Sequence, residues 1–108
     1  RARSLGTSGR TKSVAWTEAG VWVSTHGDGL QLWDPASKRK RAQVAFEPFA
    51  LVGWQDGVVA SDARHVLYLG PDGTERLRVE GHRGWPTPDG LVVWSRKPTR
   101  FHRIPWPE

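Results

Sequence analysis

Apolar residues along this chain fall in short runs or alternate with polar ones, and turn residues interrupt them every 6 to 10 positions. Alternation with frequent breaks predicts short strands, and helical periodicity is hard to find anywhere. The pattern predicts strands over 13–17, 21–25, 30–33 and 41–46, then over 50–54, 58–61, 66–69 and 76–79. Three more are predicted over 84–86, 91–95 and 99–104. Asp56-Gly57, Asp72-Gly73 and Asp89-Gly90 each separate two apolar runs, which is among the strongest short-range hairpin signals. In such turns Gly supplies positive φ, Pro presets φ, and Asp bonds its own backbone.

The pattern also repeats. Val14-Ala15-Trp16 leads to Gly20-Val21 and Ser24, and Val52-Gly53-Trp54 leads to Gly57-Val58 and Ser61. Gly84-Trp85 leads in the same way to Gly90-Leu91 and Ser95. Self-similarity at a spacing that suits four strands is the signature of stacked units. The sequence therefore reads as one all-β domain over 1–108, built of antiparallel four-stranded units. An outer strand is expected within 1–12, full units over 13–48 and 49–82, and a three-stranded unit over 83–108 that the outer strand completes. Trp16, Trp54 and Trp85 are expected to wedge between units, with small Ala15, Gly53 and Gly84 admitting close approach. Ser24, Ser61 and Ser95 are expected to make one structural hydrogen bond per unit.

Composition narrows the picture. A chain of 108 residues has room for one ordinary domain. Its apolar share is 37%, but seven Trp supply much of the burial that this low figure lacks. Absence of Cys excludes a disulfide framework and thiolate chemistry. No stretch approaches the roughly 18 apolar residues of a membrane helix, and no signal-peptide pattern opens the chain. A cytoplasmic setting is expected on that ground. The first residue is Arg1 rather than Met, so a piece of a longer protein is expected too.

The arrangement resembles a β-propeller of the WD-repeat kind. Trp33-Asp34 closes the third strand of the first unit, where that family keeps its Trp-Asp pair. Gly81-His82 opens the third unit ahead of Trp106, similar to the family's Gly-His to Trp-Asp spacing, and Gly9-Arg10 holds the corresponding place before Trp33. The resemblance implies propeller blades, one of them shared between the termini. Propellers commonly close with about 4 to 8 blades. Three would therefore belong to a larger propeller, or copies of the chain would complete a ring.

Candidate chemistry is sparse. Trp22, Trp94 and Trp106 depart from the repeat and are candidates for stacking on sugars or bases. The formal charge is +5, and one basic run reads Lys38-Arg39-Lys40-Arg41. With Arg1, Arg3, Arg10 and Lys12, and with Arg96, Lys97, Arg100 and Arg103, it forms either a phosphate-binding surface or charged outer edges that discourage strand pairing. His26, His65, His82 and His102 show no zinc-ligand spacing, so no metal or cofactor is expected. His26-Gly27-Asp28-Gly29 lacks the Lys and Ser/Thr of a P-loop and reads as a turn. Glu18, Asp56, Asp72 and Asp89 also sit in turns, where backbone bonding explains them.

No Ser–His–acid set stands out, and an enzyme is not expected. The leading expectation is a binding or scaffold module that takes a protein partner or the rest of a propeller, with self-association as a variant. A sugar-binding propeller assembly is the second expectation, and nucleic-acid binding through the Arg-rich edges the third. No membrane partner is expected.

Overall fold

The structure is a computed structural model that describes residues 11–96 and 99–107. Among these residues there are eleven strands and no helix. The first sheet runs in chain order through β1 (Thr11–Thr17), β2 (Gly20–Thr25), β3 (Gly29–Asp34) and β4 (Arg39–Val44). The second runs through β5 (Ala50–Trp54), β6 (Gly57–Ser61), β7 (His65–Leu69) and β8 (Glu75–Glu80). The third contains β9 (Arg83–Thr87), β10 (Gly90–Arg96) and β11 (Thr99–Ile104). Every pairing is antiparallel, so the chain is all-β as the alternation predicts, and strand ends lie within two residues of their predicted places. The outer strand expected within 1–12 lies outside the described residues, apart from Thr11 and Lys12, which open β1.

Turn chemistry explains why each sheet is a meander. In the β1–β2 turn, Thr17 Oγ1 accepts from the Ala19 N–H at 3.2 Å and donates to the Gly20 carbonyl at 3.3 Å. Thr87 repeats both bonds in the β9–β10 turn, to Asp89 N–H at 3.2 Å and the Gly90 carbonyl at 2.7 Å. Carboxylates close the turns between third and fourth strands, with Asp34 accepting from Ala36 N–H and Asp72 from Thr74 N–H. Asp62 does the same between β6 and β7, taking the N–H groups of Arg64 and His65.

Period-two alternation then decides how the sheets stack. On the second sheet Val58, Ala60, Leu67 and Leu69 face the first sheet, packing against Ala15, Trp22, Leu30 and Leu32. Their neighbours Val59, Val66 and Tyr68 point the opposite way, against Leu91 and Val93 of the third sheet. The middle sheet is thus buried on both faces, and its central strands read as continuous apolar runs for that reason. Two glycines set the approach distance. A Cβ on Gly53 would stand 2.7 Å from the Trp16 carbonyl oxygen, and one on Gly84 would collide with Val66 Cγ1. Two serines tie each sheet to the next. Ser24 Oγ donates to the Pro48 carbonyl at 2.8 Å, just ahead of β5, and Ser61 Oγ accepts from the Gly84 N–H at 3.1 Å.

The structure corrects the expected roles of several indoles. Trp16 is 70% exposed, and Trp22, expected at a ligand surface, is fully buried between the first two sheets. The cause is register. Trp16 pairs with Val21, Trp54 with Gly57 and Trp85 with Val92, so the three occupy different places relative to the hairpin Gly. Because a one-residue slip reverses a side chain's face, Trp16 points away from the second sheet while Trp22, one residue after Val21, points into it. Trp54 faces the third sheet and is half-buried, and Trp85 lies on the third sheet's far face. Ser95 is likewise out of step with Ser24 and Ser61. Ser24 pairs with Leu30 and Ser61 with Val66, whereas the equivalent pair in the third sheet is Trp94 with Phe101.

Candidate functional site

Leu91 and Val93 of β10 turn inward, so Val92 and Trp94 turn outward, and their ladder partners on β9 and β11 turn outward with them. One row across this outer face reads Arg83, Trp94, Phe101, and the next reads Trp85, Val92, Arg103. Arg96 follows Trp94 on the same face of β10. The Arg83 guanidinium lies 5.6 Å from the Trp85 ring and that of Arg96 lies 5.8 Å from the Trp94 ring, both within cation–π range. Trp94 and Phe101 are near-parallel, with centroids 6.5 Å apart and planes inclined by 22°. The His82 ring meets Trp94 edge-on at 4.7 Å and braces it. Phe101 is 65% exposed, and Arg83, Arg96 and Arg103 are exposed as well. None of the three strands carries Asp or Glu.

Comparison with the other two sheets gives this face its meaning. Where the third sheet has Arg83, the corresponding residues are Ser13 and Ala50, each paired with the inter-sheet serine. Where it has Arg103, they are Leu32 and Tyr68, both buried. Trp94 replaces the serine itself. Positions that are small or apolar when another sheet covers them have become cationic and aromatic here.

A concave region of about 780 Å³ opens elsewhere, between the second and third sheets. Trp54, Tyr68 and Trp106 form its walls, with Arg76 and Gln55 at the rim. Trp54 stands where the other sheets have Thr17 and Thr87, so the β5–β6 turn lacks the threonine bonds, and Gln55 adopts a φ of 55°. The indoles of Trp54 and Trp106 stack at 5.8 Å and 15°, Tyr68 leans on Trp106 at 4.8 Å, and Trp106 Nε1 donates to the Thr87 carbonyl at 2.7 Å. Arg76 Nη1 donates to the Asp56 carboxylate at 3.4 Å. Trp106, read from sequence as a ligand surface, is half-buried here and holds the second and third sheets together.

The basic run falls elsewhere. Lys38, at a φ of 59°, makes the β3–β4 turn, and Arg39, Lys40 and Arg41 line the outermost strand of the first sheet. Lys40 donates to Gln43 Oε1 at 2.7 Å, while Arg41 donates to the Ala19 carbonyl at 2.7 Å and lies 3.9 Å from Asp34. Lys40 and Arg41 bond within their own sheet, and the run as a whole charges its edge, which discourages further strand pairing. Arg1, Arg3, Arg10 and Lys97 lie outside the described residues.

Sequence reasoning missed Arg83 and Phe101 as parts of a surface. The signal was available: aligning the copies on Gly20, Gly57 and Gly90, instead of on their tryptophans, sets Trp94 against Ser24 and Ser61. The turn carboxylates offer no acid–base pair. Asp34 is held below its usual range chiefly by the Ala36 N–H, and Asp72 by the Thr74 hydroxyl and N–H. Arg78 does the same to Glu75 through hydrogen bonds of 2.9 to 3.1 Å. Comparison with protein-family models, curated proteins and solved structures finds no match to this chain.

Proposed function

We propose that the three sheets are blades of the propeller type, and that the chain is a non-enzymatic binding module working through the outer face of its third sheet. Support for blades comes from three successive meanders stacked through equivalent faces, with a serine hydrogen bond at each of the two junctions. The observation that carries the binding role is the exchange of buried-type residues for Arg83, Trp94, Phe101 and Arg103 on one face. A face meant to sit under another blade would bury three guanidinium groups with no carboxylate on their strands, at a cost of several kcal/mol per ion. The face is instead suited to an anionic partner.

The sugar-binding reading finds its best place in the region between the second and third sheets. There Trp106 is half-buried against both Trp54 and Tyr68 and its N–H is already engaged, so it is committed to joining the two sheets. The outer face has the better claim.

Retention on immobilised heparin tests the proposal. The protein is expected to elute at higher salt than the Arg83→Glu/Arg103→Glu variant. Lys38→Glu/Lys40→Glu, with the same change in net charge, should elute close to the parent. An unchanged elution of the first variant overturns the assignment of the face.

A further inference from the structure

Resting on that reading of the outer face, we infer that its ligand is a single-stranded nucleic acid. Two features of this face act together. Cations alone would suit any polyanion, and aromatic rings alone would suit any apolar partner. Their alternation suits a chain that carries a phosphate and a flat π-face at every unit. In the row Arg83–Trp94–Phe101, a cation stands next to two adjacent, near-parallel rings. In the row Trp85–Val92–Arg103, a ring and a cation stand at opposite ends. A strand laid across β9, β10 and β11 would therefore meet one ring on each strand, Trp85, Trp94 and Phe101, with a guanidinium group at both margins.

The geometry also separates single strands from duplexes. Bases within a duplex are already stacked and present only their edges, whereas the exposed Phe101 and the half-buried Trp94 and Trp85 need free π-faces to engage. The face is a three-stranded sheet without a protruding helix or ribbon among the described residues, so it has no element to enter a groove. His82 and Arg96 hold Trp94 in place before any ligand arrives, which lowers the ordering cost of binding.

Fluorescence anisotropy with a labelled 20-nucleotide oligodeoxythymidylate, and in parallel with oligouridylate of equal length, tests this inference. The expected result is binding that weakens roughly 20-fold between 50 and 200 mM salt, from about three phosphate contacts. Trp94→Ala and Phe101→Ala should each weaken it about 5- to 150-fold, the range for losing one stacked base. Phe101 is largely exposed, so its truncation leaves the fold intact and keeps the test valid if Trp94→Ala fails to fold. Heparin, which shares only the cations, should compete without responding to the ring variants, and a 20-base-pair duplex should compete poorly. Should heparin bind through Arg83 and Arg103 while the oligonucleotides bind no better than the duplex, or ignore the ring variants, the inference fails and the anionic-partner reading stands. Should neither heparin nor oligonucleotide depend on this face, both fail.

Discussion

At the scale of single residues, what a tryptophan does here depends on its register, because identical side chains one position apart on a strand meet opposite environments. Trp22 is buried at the centre of the first interface, and its Nε1 has no hydrogen-bond partner among the described residues, so its value lies in packed area. Trp22→Ala is expected to cost about 3–5 kcal/mol in urea denaturation. Trp16→Ala, at a site 70% exposed, should stay within about 0.5 kcal/mol. A comparable loss at both positions would contradict the register. The recurrent motif that reveals the repeat is therefore a poor guide to the core. Its glycines and its first two serines are structurally equivalent, and its tryptophans are not.

At the scale of elements, hairpins and their turns were the most legible part of the chain, since Asp-Gly pairs and alternation act locally. All eleven described strands follow from them. Faces were harder to read. A buried middle sheet and an open end sheet both show apolar residues at alternate positions, and only comparison of paired positions separates Val66 from Phe101. The inter-sheet region at Trp54, Tyr68 and Trp106 was not legible, because it joins residues far apart in sequence through ring packing and one hydrogen bond, from Trp106 Nε1 to the Thr87 carbonyl.

The turns also confer a pH dependence whose sign is fixed. Asp34 and Asp72 have carboxyls held below the ordinary value of 3.8 in the folded chain, by N–H and hydroxyl donors. Their contribution is complete at neutral pH and is lost as pH falls through the lowered values. The melting temperature should drop as the pH falls below the ordinary carboxyl value of 3.8, and Asp72→Asn should flatten that drop. A melting curve that stays constant over this window would show that the turn bonds contribute nothing.

At the scale of the whole molecule, the three sheets form a stack with a defined direction. The first interface uses one face of the middle sheet, the second uses the other, and the third sheet turns a cationic aromatic face outward. The architecture and the function proposed for it share one requirement: that this last face is open. Hydroxyl-radical footprinting of the native protein, read residue by residue by mass spectrometry, measures that directly. Rapid labelling of Trp94, Phe101 and Trp85 together with protection of Trp22 is the outcome this arrangement demands. Protection of Trp94 and Phe101 to the level of Trp22 would mean that another layer covers them, and the binding face would not exist.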